Sequence, residues 1–546
     1  MKSAAIAGRQ GRTAQERLRL IDTHSPPPGH ADQPIGFWQN RWLLAALILS
    51  AALPILIADI APLTDLPGHM GRYRVQLDLA ESAALQRYFR FEWALIGNLG
   101  VDLLVIPLAS LFGLELAVKL VVASIPPLTV GGLLLVAREV HGRIPPTAFF
   151  ALPFAYGYPF MFGFMNFALS MAFALLAFGL WLHLARLDRL KLRAAVFVPL
   201  SGLVWITHAF GWGTLGVMAF SAELVRQIDK GRNFIGASTR AALHSLAIAP
   251  PIILMLLWRS GAAGGQTTDW FNWTAKYYWI KWVLRDRWEW FDLGALVLIV
   301  LLLLRALWSP KIEFSRNLAA SALFLTLVFL LLPRIIFGSA YADMRLVPYV
   351  FAVAVVAIRL RRRATLRFAG IVAGVALAFV AARTGGTLAS FWLYDRSYDR
   401  ALAALDHVPH GARLVSFVGR ACPEPWATSR LEHLPAIAIV RREAFSNDQW
   451  SMAGAQLLDV DYPPGGRFVR DPSQIATAAK CPREQWLTIG DALRRMPRGA
   501  FDYVWLIQPP SYDPALTAGW DEVWRDGGNV LYRIGDRPTP ALPETR

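Results

Sequence analysis

The run Trp42-Leu43-Leu44-Ala45-Ala46-Leu47-Ile48-Leu49-Ser50-Ala51-Ala52-Leu53-Pro54-Ile55-Leu56-Ile57-Ala58-Asp59-Ile60 carries no charge before Asp59. As a helix, a run of this length spans a hydrocarbon core of about 30 Å. It leads directly into Ala61-Pro62-Leu63-Thr64-Asp65-Leu66-Pro67-Gly68-His69-Met70-Gly71-Arg72-Tyr73-Arg74. The chain therefore leaves an apolar layer and meets carboxylates, an imidazole and guanidiniums within a few residues. Similar apolar runs, roughly 17–25 residues each, recur as far as about Ala382. Of the 546 residues 55% are hydrophobic and only 17% charged, 21 are Trp, and the mean hydropathy is +0.38. That balance excludes a water-soluble monomer and predicts a polytopic, α-helical membrane protein.

The net charge of +16 does not mark a nucleic-acid partner. From Ser390 onward the chain has a net charge of −1, so the whole excess lies before it. There it sits in short clusters between apolar runs: Arg138/Arg143, Arg186–Arg193, Arg226–Arg240, Arg305–Arg316 and Arg359–Arg367. This is the positive-inside pattern of membrane topology, not the continuous basic and aromatic face that a nucleic acid needs.

Placing every cluster on one side predicts hairpins at 146–162 with 165–185, 194–208 with 211–226, 241–258 with 291–307, and 317–336 with 346–358. With helices at 42–60, 115–137 and 366–384 the count comes to about 11 spans, and an odd number puts the two ends on opposite sides. The segment 95–112 contains Asn98, Asp102 and Pro107 and is read as interfacial or re-entrant. Three regions follow: a disordered cytoplasmic tail at 1–41, a transmembrane domain at 42–389 with external loops 61–114 and 259–290, and an exported α/β domain at 390–546. In the last, strand-like runs at Arg413–Val418 and Phe501–Gln508 precede a hairpin that turns at Asp526–Asn529. The only two cysteines, Cys422 and Cys481, fall in this exported region, and an oxidising compartment predicts their disulfide.

The polar string after the first helix is the strongest chemical signal. Asp65 can take a proton from a hydroxyl, His69 and Arg72 can hold a phosphate, and Asp65 with Asp59 can bind a divalent cation such as Mg or Mn. The plainer reading is a helix cap at Asp65 with arginines against lipid headgroups. Arg345, at the outer end of a later helix, can supply a second phosphate-binding cation, or can anchor the interface or pair with Asp343. Between 269 and 290, Lys276 and Arg285 stand among tryptophans and tyrosines. That mixture suits a helix lying in the interface, either gripping a lipid substrate or serving as an aromatic anchor. Asn166 and His208 are polar residues in apolar settings at outer turns, as functional residues or as satisfied turn residues. Asp459-Val460-Asp461 has the form of a metal-binding motif without a nucleotide fold before it and is discounted, as are His407 and His410.

An acidic residue directly after helix one, a multi-spanning core, an aromatic external loop and an exported α/β tail resemble the GT-C superfamily of membrane glycosyltransferases. The string Asp65-x-Pro67-x-His69-x-x-Arg72 is similar to what bacterial members carry at this position. The resemblance implies a hexosyl- or pentosyltransferase of the bacterial inner membrane, its N-terminus cytoplasmic and its C-terminal domain periplasmic. It implies a polyprenyl-phosphate-linked sugar as donor and an envelope lipid, glycan or protein as acceptor. On this resemblance Asp65 matches the loop-1 carboxylate that serves as catalytic base or metal ligand. The rival reading is a transporter or flippase of lipid-linked glycans. Against it, the sequence places no charged residue firmly in the middle of a helix and shows no inverted repeat. A third reading, a non-enzymatic anchor, leaves the loop-1 cluster without a purpose.

Overall fold

The computed structural model describes residues 34–261, 266–336, 338–451, 456–482 and 484–534. Most of the predicted disordered tail, residues 1–33, lies outside them. From residue 34 the chain is already engaged: Trp38 is buried, and Asn40 opens the first helix, α1 (Arg41–Ser50). The Asn40 side chain accepts from the Trp42 and Leu43 amides at 2.8 and 3.4 Å, satisfying two of the free donors at the helix start. The continuous helix expected over 42–60 breaks at Ala51–Ala52 because Pro54 has no N–H to offer the carbonyl of Ser50.

Next come α2 (Leu66–Asp78), α3 (Gly100–Phe112), α4 (Leu114–His141), α5 (Met165–Arg186), α6 (Leu190–Thr207) and α7 (Ala209–Asp229). Later in the chain α8 (Glu289–Trp308) precedes the 37-residue α9 (Leu366–Leu402). Among the described residues five helices are long and apolar enough to cross a membrane: α4, α5, α6, α8 and α9 with its short extension. A sixth arises if Phe234–Ile248 and Pro251–Leu257, bent by 64°, count as one span. The mostly helical, multi-span character is thus present, with fewer long spans than the sequence predicts.

The differences have local causes. The stretch expected to be a helix at 146–162 is a 3₁₀ turn series, Pro146–Tyr156, followed by the short helix Tyr158–Phe162. Pro146, Pro153 and Pro159 remove the amides that an α-helix needs there. α7 is long enough but carries Glu223, Arg226 and Asp229 in its second half. The segment 95–112 holds only the short helix α3, which begins at Gly100 and buries Asp102.

Charges are buried among the helices as well, mostly near helix starts, such as Asp102, Asp292 and Arg193. Arg383 stands in the middle of α9, where the sequence reading placed no charge. Buried pairs join Arg193 to Glu223 at 3.0 Å, Arg383 to Asp292 at 2.6 Å and Arg72 to Asp102. Each ties two helices together, since a buried charge left single would cost several kcal/mol, about 3–5 by mutational precedent.

α9 runs past Ser390, so the residues following it rather than residue 390 open the C-terminal unit. Its six-stranded sheet has the order β7-β6-β4-β8-β10-β9, where β4 is Leu414–Gly419, β6 Ile475–Thr477, β7 Leu487–Thr488, β8 Tyr503–Ile507, β9 Asp521–Asp526 and β10 Asn529–Arg533. The β7-β6-β4-β8 part is parallel, and β9–β10 is the antiparallel hairpin expected at its end. β8 is buried along its whole length and β4 all but its last residue, as strands covered on both faces must be. Cys422 and Cys481 form a disulfide with their Cα atoms 5.8 Å apart.

Loop 1 is built into this unit. Its strand β1 (Phe89–Phe91) pairs antiparallel with β5 (Leu458–Val460) of the tail. Tyr88 and Phe89 pack with Val415, Phe417, Phe445 and Tyr462 in one buried cluster. Asp459-Val460-Asp461 therefore belongs to a strand edge: Asp459 accepts from Ser451 at 2.7 Å and Asp461 pairs with Arg90 at 2.9 Å. A second pair, β2 (Ile312–Phe314) with β3 (Ile358–Leu360), lies on the helical side.

A candidate acid–base site

Asp65 stands at the entrance of α2, held by its backbone. Its amide donates to the Phe162 carbonyl at 2.9 Å, and its carbonyl accepts from the His69 amide at 3.0 Å. Gly163, at φ +107°, lies so close that a side chain there would overlap the Asp65 backbone. The carboxylate makes no capping bond, so the plain reading of Asp65 as a helix cap is not what the structure has. It turns instead towards the tail, with its side chain 14% exposed.

There it meets His433, which no sequence signal singled out. His433 Nε2 lies 3.9 Å from Asp65 Oδ1 and 4.0 Å from Asp471 Oδ1. On the other side of the ring Nδ1 lies 3.1 Å from the Asp448 carbonyl oxygen and 3.8 Å from its carboxylate. A carbonyl oxygen only accepts, so Nδ1 carries the proton and Nε2 is the nitrogen that gains or loses one towards Asp65. The Trp450 ring, 4.7 Å away and edge-on, holds the imidazole in place.

Burial pushes the Asp65 carboxyl from its ordinary 3.8 to about 7; the His433 charge opposes this rise, and Glu432 and Asp471 add to it. Asp448 rises to about 7 for the same first reason, against the pull of His433 and of the Ser446 hydroxyl. Burial alone would depress His433, but Asp471, Asp65, Asp448 and Glu432 together raise it above its ordinary value. The loop-1 carboxyl of Asp65 is thereby raised to about 7, facing a tail imidazole whose pKa its carboxylate neighbours raise, an arrangement suited to proton transfer.

The other residues singled out by sequence divide into two groups. His69 remains close, between Tyr73 and Trp450 at ring distances of 6.2 and 5.2 Å. Burial and the Arg72 charge keep it neutral, and its Nδ1 has no hydrogen-bond partner among the described residues. Arg345 lies over the Phe164 and Phe210 rings, donates to Ser339 at 3.4 Å, and leaves Nε unbonded. Its charge adds a small downward pull on the Asp65 pKa. His208 caps α7, accepting from the Phe210 amide at 3.1 Å.

The rest are committed elsewhere. Arg72 is held by Asp102, not free for a phosphate. Asn166 spends its amide on Asn98, Val101 and Asp102, locking α3 to α5. Lys276 uses its three donors on Phe329 O, Leu332 O and Asp343 at 2.7, 2.9 and 3.2 Å, so it is a structural cation rather than a lipid contact. Asp343, bound to Lys276 and Trp279, does not pair with Arg345. Arg285 donates to the Trp426 and Pro425 carbonyls at 2.8 and 2.7 Å and ties the aromatic loop to the tail. That loop does expose Trp270, Trp273, Tyr277 and Trp290, as an interfacial segment would.

Asp59 does not join Asp65. Its amide donates to Asp395 at 2.9 Å, and it lines a separate cavity with Asp399 and Arg441. Among the described residues no group of three or more His, Cys, Asp or Glu side chains is arranged to hold a metal ion. His410 pairs with Glu443 at 3.3 Å.

Compared with known proteins, the chain matches no family model, no curated protein and no solved structure.

Proposed function

We propose that the chain is a GT-C-like membrane glycosyltransferase that moves a sugar from a polyprenyl-phosphate carrier to an envelope lipid, glycan or protein. The observation that carries this reading is the Asp65–His433 pair: a carboxyl raised to about 7, at the end of an apolar segment, facing a histidine across 3.9 Å. In the proposed reaction the acceptor hydroxyl attacks the anomeric carbon and gives its proton to Asp65. The bond from that carbon to the phosphate oxygen breaks, and the phosphate leaves as an anion with inversion at the anomeric centre. Arg345, buried, with an unbonded Nε and a charge that acts on Asp65, is the cation proposed for the leaving phosphate. His433 keeps Asp65 from rising further, so that it is available as a base near neutral pH.

The membrane is read as the bacterial inner membrane, with the N-terminus cytoplasmic and the tail periplasmic; the Cys422–Cys481 disulfide supports an oxidising compartment for the tail. The count of 11 crossings belongs to the same proposal. It requires the shorter apolar helices Arg41–Ser50, Arg316–Leu331 and Met344–Val356 to complete spans with their flanks, and α7 and the proline-broken stretch 146–162 to cross as well. Against transport, the buried charges Arg193, Glu223, Arg383 and Asp292 are paired across helices, not open to a passing ion. The test is sugar transfer from a polyprenyl-phosphate donor in isolated membranes. It is lost in Asp65→Asn and kept in Asp59→Asn if the reading holds, and unchanged in Asp65→Asn if it does not.

A further inference from the structure

Parallel sheets place ligands outside the carboxyl ends of their strands, at the point where the strand order reverses. In the tail that point is β4 and β8. From β4 the chain builds outward through β6 and β7 on one side, then returns to add β8 on the other. The residues just at the two carboxyl ends, Gly419 and Gln508, line a cavity of about 450 Å³. Its far wall is the last turns of α9, from Leu393 to Arg400, and Arg287 closes one side. The volume falls in the range of small-ligand sites, about 300–1,000 Å³.

The charges lining it do not cancel. Arg420 is matched by Glu432 at 2.6 Å and by Glu424, also on the wall, at 3.2 Å. Arg287 lies over the Tyr394 ring at 4.7 Å and, like Arg400, makes no ion pair among the described residues. Two guanidiniums thus face the same space unneutralised, with the hydroxyls of Ser397, Thr428 and Ser429 around them. We infer that this crevice binds a phosphate-bearing ligand, at a site separate from Asp65 and His433.

Guanidinium forks with hydroxyl donors suit the several oxygens of a phosphate better than the two of a carboxylate. The position allows two sources. Exposed Trp288 and Trp392 nearby in the chain suit a headgroup plane, so the phosphate can belong to a membrane amphiphile. The crevice also opens beside the sheet, where a soluble phosphate ester can enter. A separate narrow cleft, which shares Arg420, Glu424 and Thr428 as wall residues, reaches Thr64, next to Asp65. The inference does not depend on sugar transfer, because it rests on the crevice alone.

The full chain in nanodiscs of phosphatidylcholine, titrated calorimetrically with inorganic pyrophosphate, tests it. Saturable binding is expected, weakened at least about tenfold in the Arg287→Gln/Arg400→Gln double variant. Ala427→Glu, which keeps both arginines and adds a carboxylate to the wall, weakens it likewise. Thermal unfolding of each variant checks that the tail is intact. With phosphatidic acid in the disc, competition against pyrophosphate assigns the ligand to the membrane, and its absence assigns it to the aqueous side. No saturable binding to the unaltered chain, or equal binding by a folded double variant, overturns the inference.

Discussion

His433 of the tail and Asp65 of loop 1 face each other across 3.9 Å, so neither half of the chain holds the acid–base pair by itself. Because the His433 charge lowers the Asp65 pKa, removing it lets burial and the neighbouring carboxylates push Asp65 above about 7. A base works only when deprotonated, so the acidic limb of a rate–pH profile follows this value. His433→Gln is expected to move that limb to higher pH while activity at alkaline pH is largely kept. The measurement is sugar transfer across pH in membranes; an unmoved limb means that His433 does not tune Asp65.

The Arg72–Asp102 pair predicts a stability effect rather than a binding one. Both side chains are almost wholly buried, so Arg72→Met leaves the Asp102 charge alone among α2, α3 and α5. A loss of about 3–5 kcal/mol is expected, and the double variant Arg72→Met/Asp102→Asn recovers part of it. Thermal unfolding in detergent reads both; a single variant as stable as the parent would mean that the pair is not a clamp.

Gly68 predicts how the tail docks. A methyl group there would overlap the Trp450 ring, and the Gly68 carbonyl accepts from Gln449 at 3.1 Å. Gly68→Leu is expected to lift the 433–450 segment from α2 and expose it to protease. Limited trypsinolysis of intact membranes measures this, and an unchanged digestion pattern counts against the docking.

These residues show what could be read in the sequence. The apolar runs, the positive clusters, the hairpin at Asp526–Asn529 and Asp65 itself are local patterns, and period, charge and turn chemistry reveal them. The proline-broken stretch at 146–162 was open to the same reasoning, since Pro153 and Pro159 stand in plain view. His433 was not: it comes to Asp65 only through the pairing of β1 with β5 and the packing of 433–450 on α2, contacts that no local pattern encodes. For the same reason Lys276, Asn166 and Arg72 looked available for ligands, because their partners Asp343 and Asp102 are near only in space.

The central claim is that Asp65 carries the chemistry. Mass spectrometry of the cell-envelope glycans, comparing a deletion strain with one that makes normal amounts of membrane-inserted Asp65→Asn protein, tests it most directly. The account predicts that both strains lack the same sugar. If deletion changes the glycans and Asp65→Asn leaves them intact, Asp65 is not the base, and the glycosyltransferase reading built on it fails.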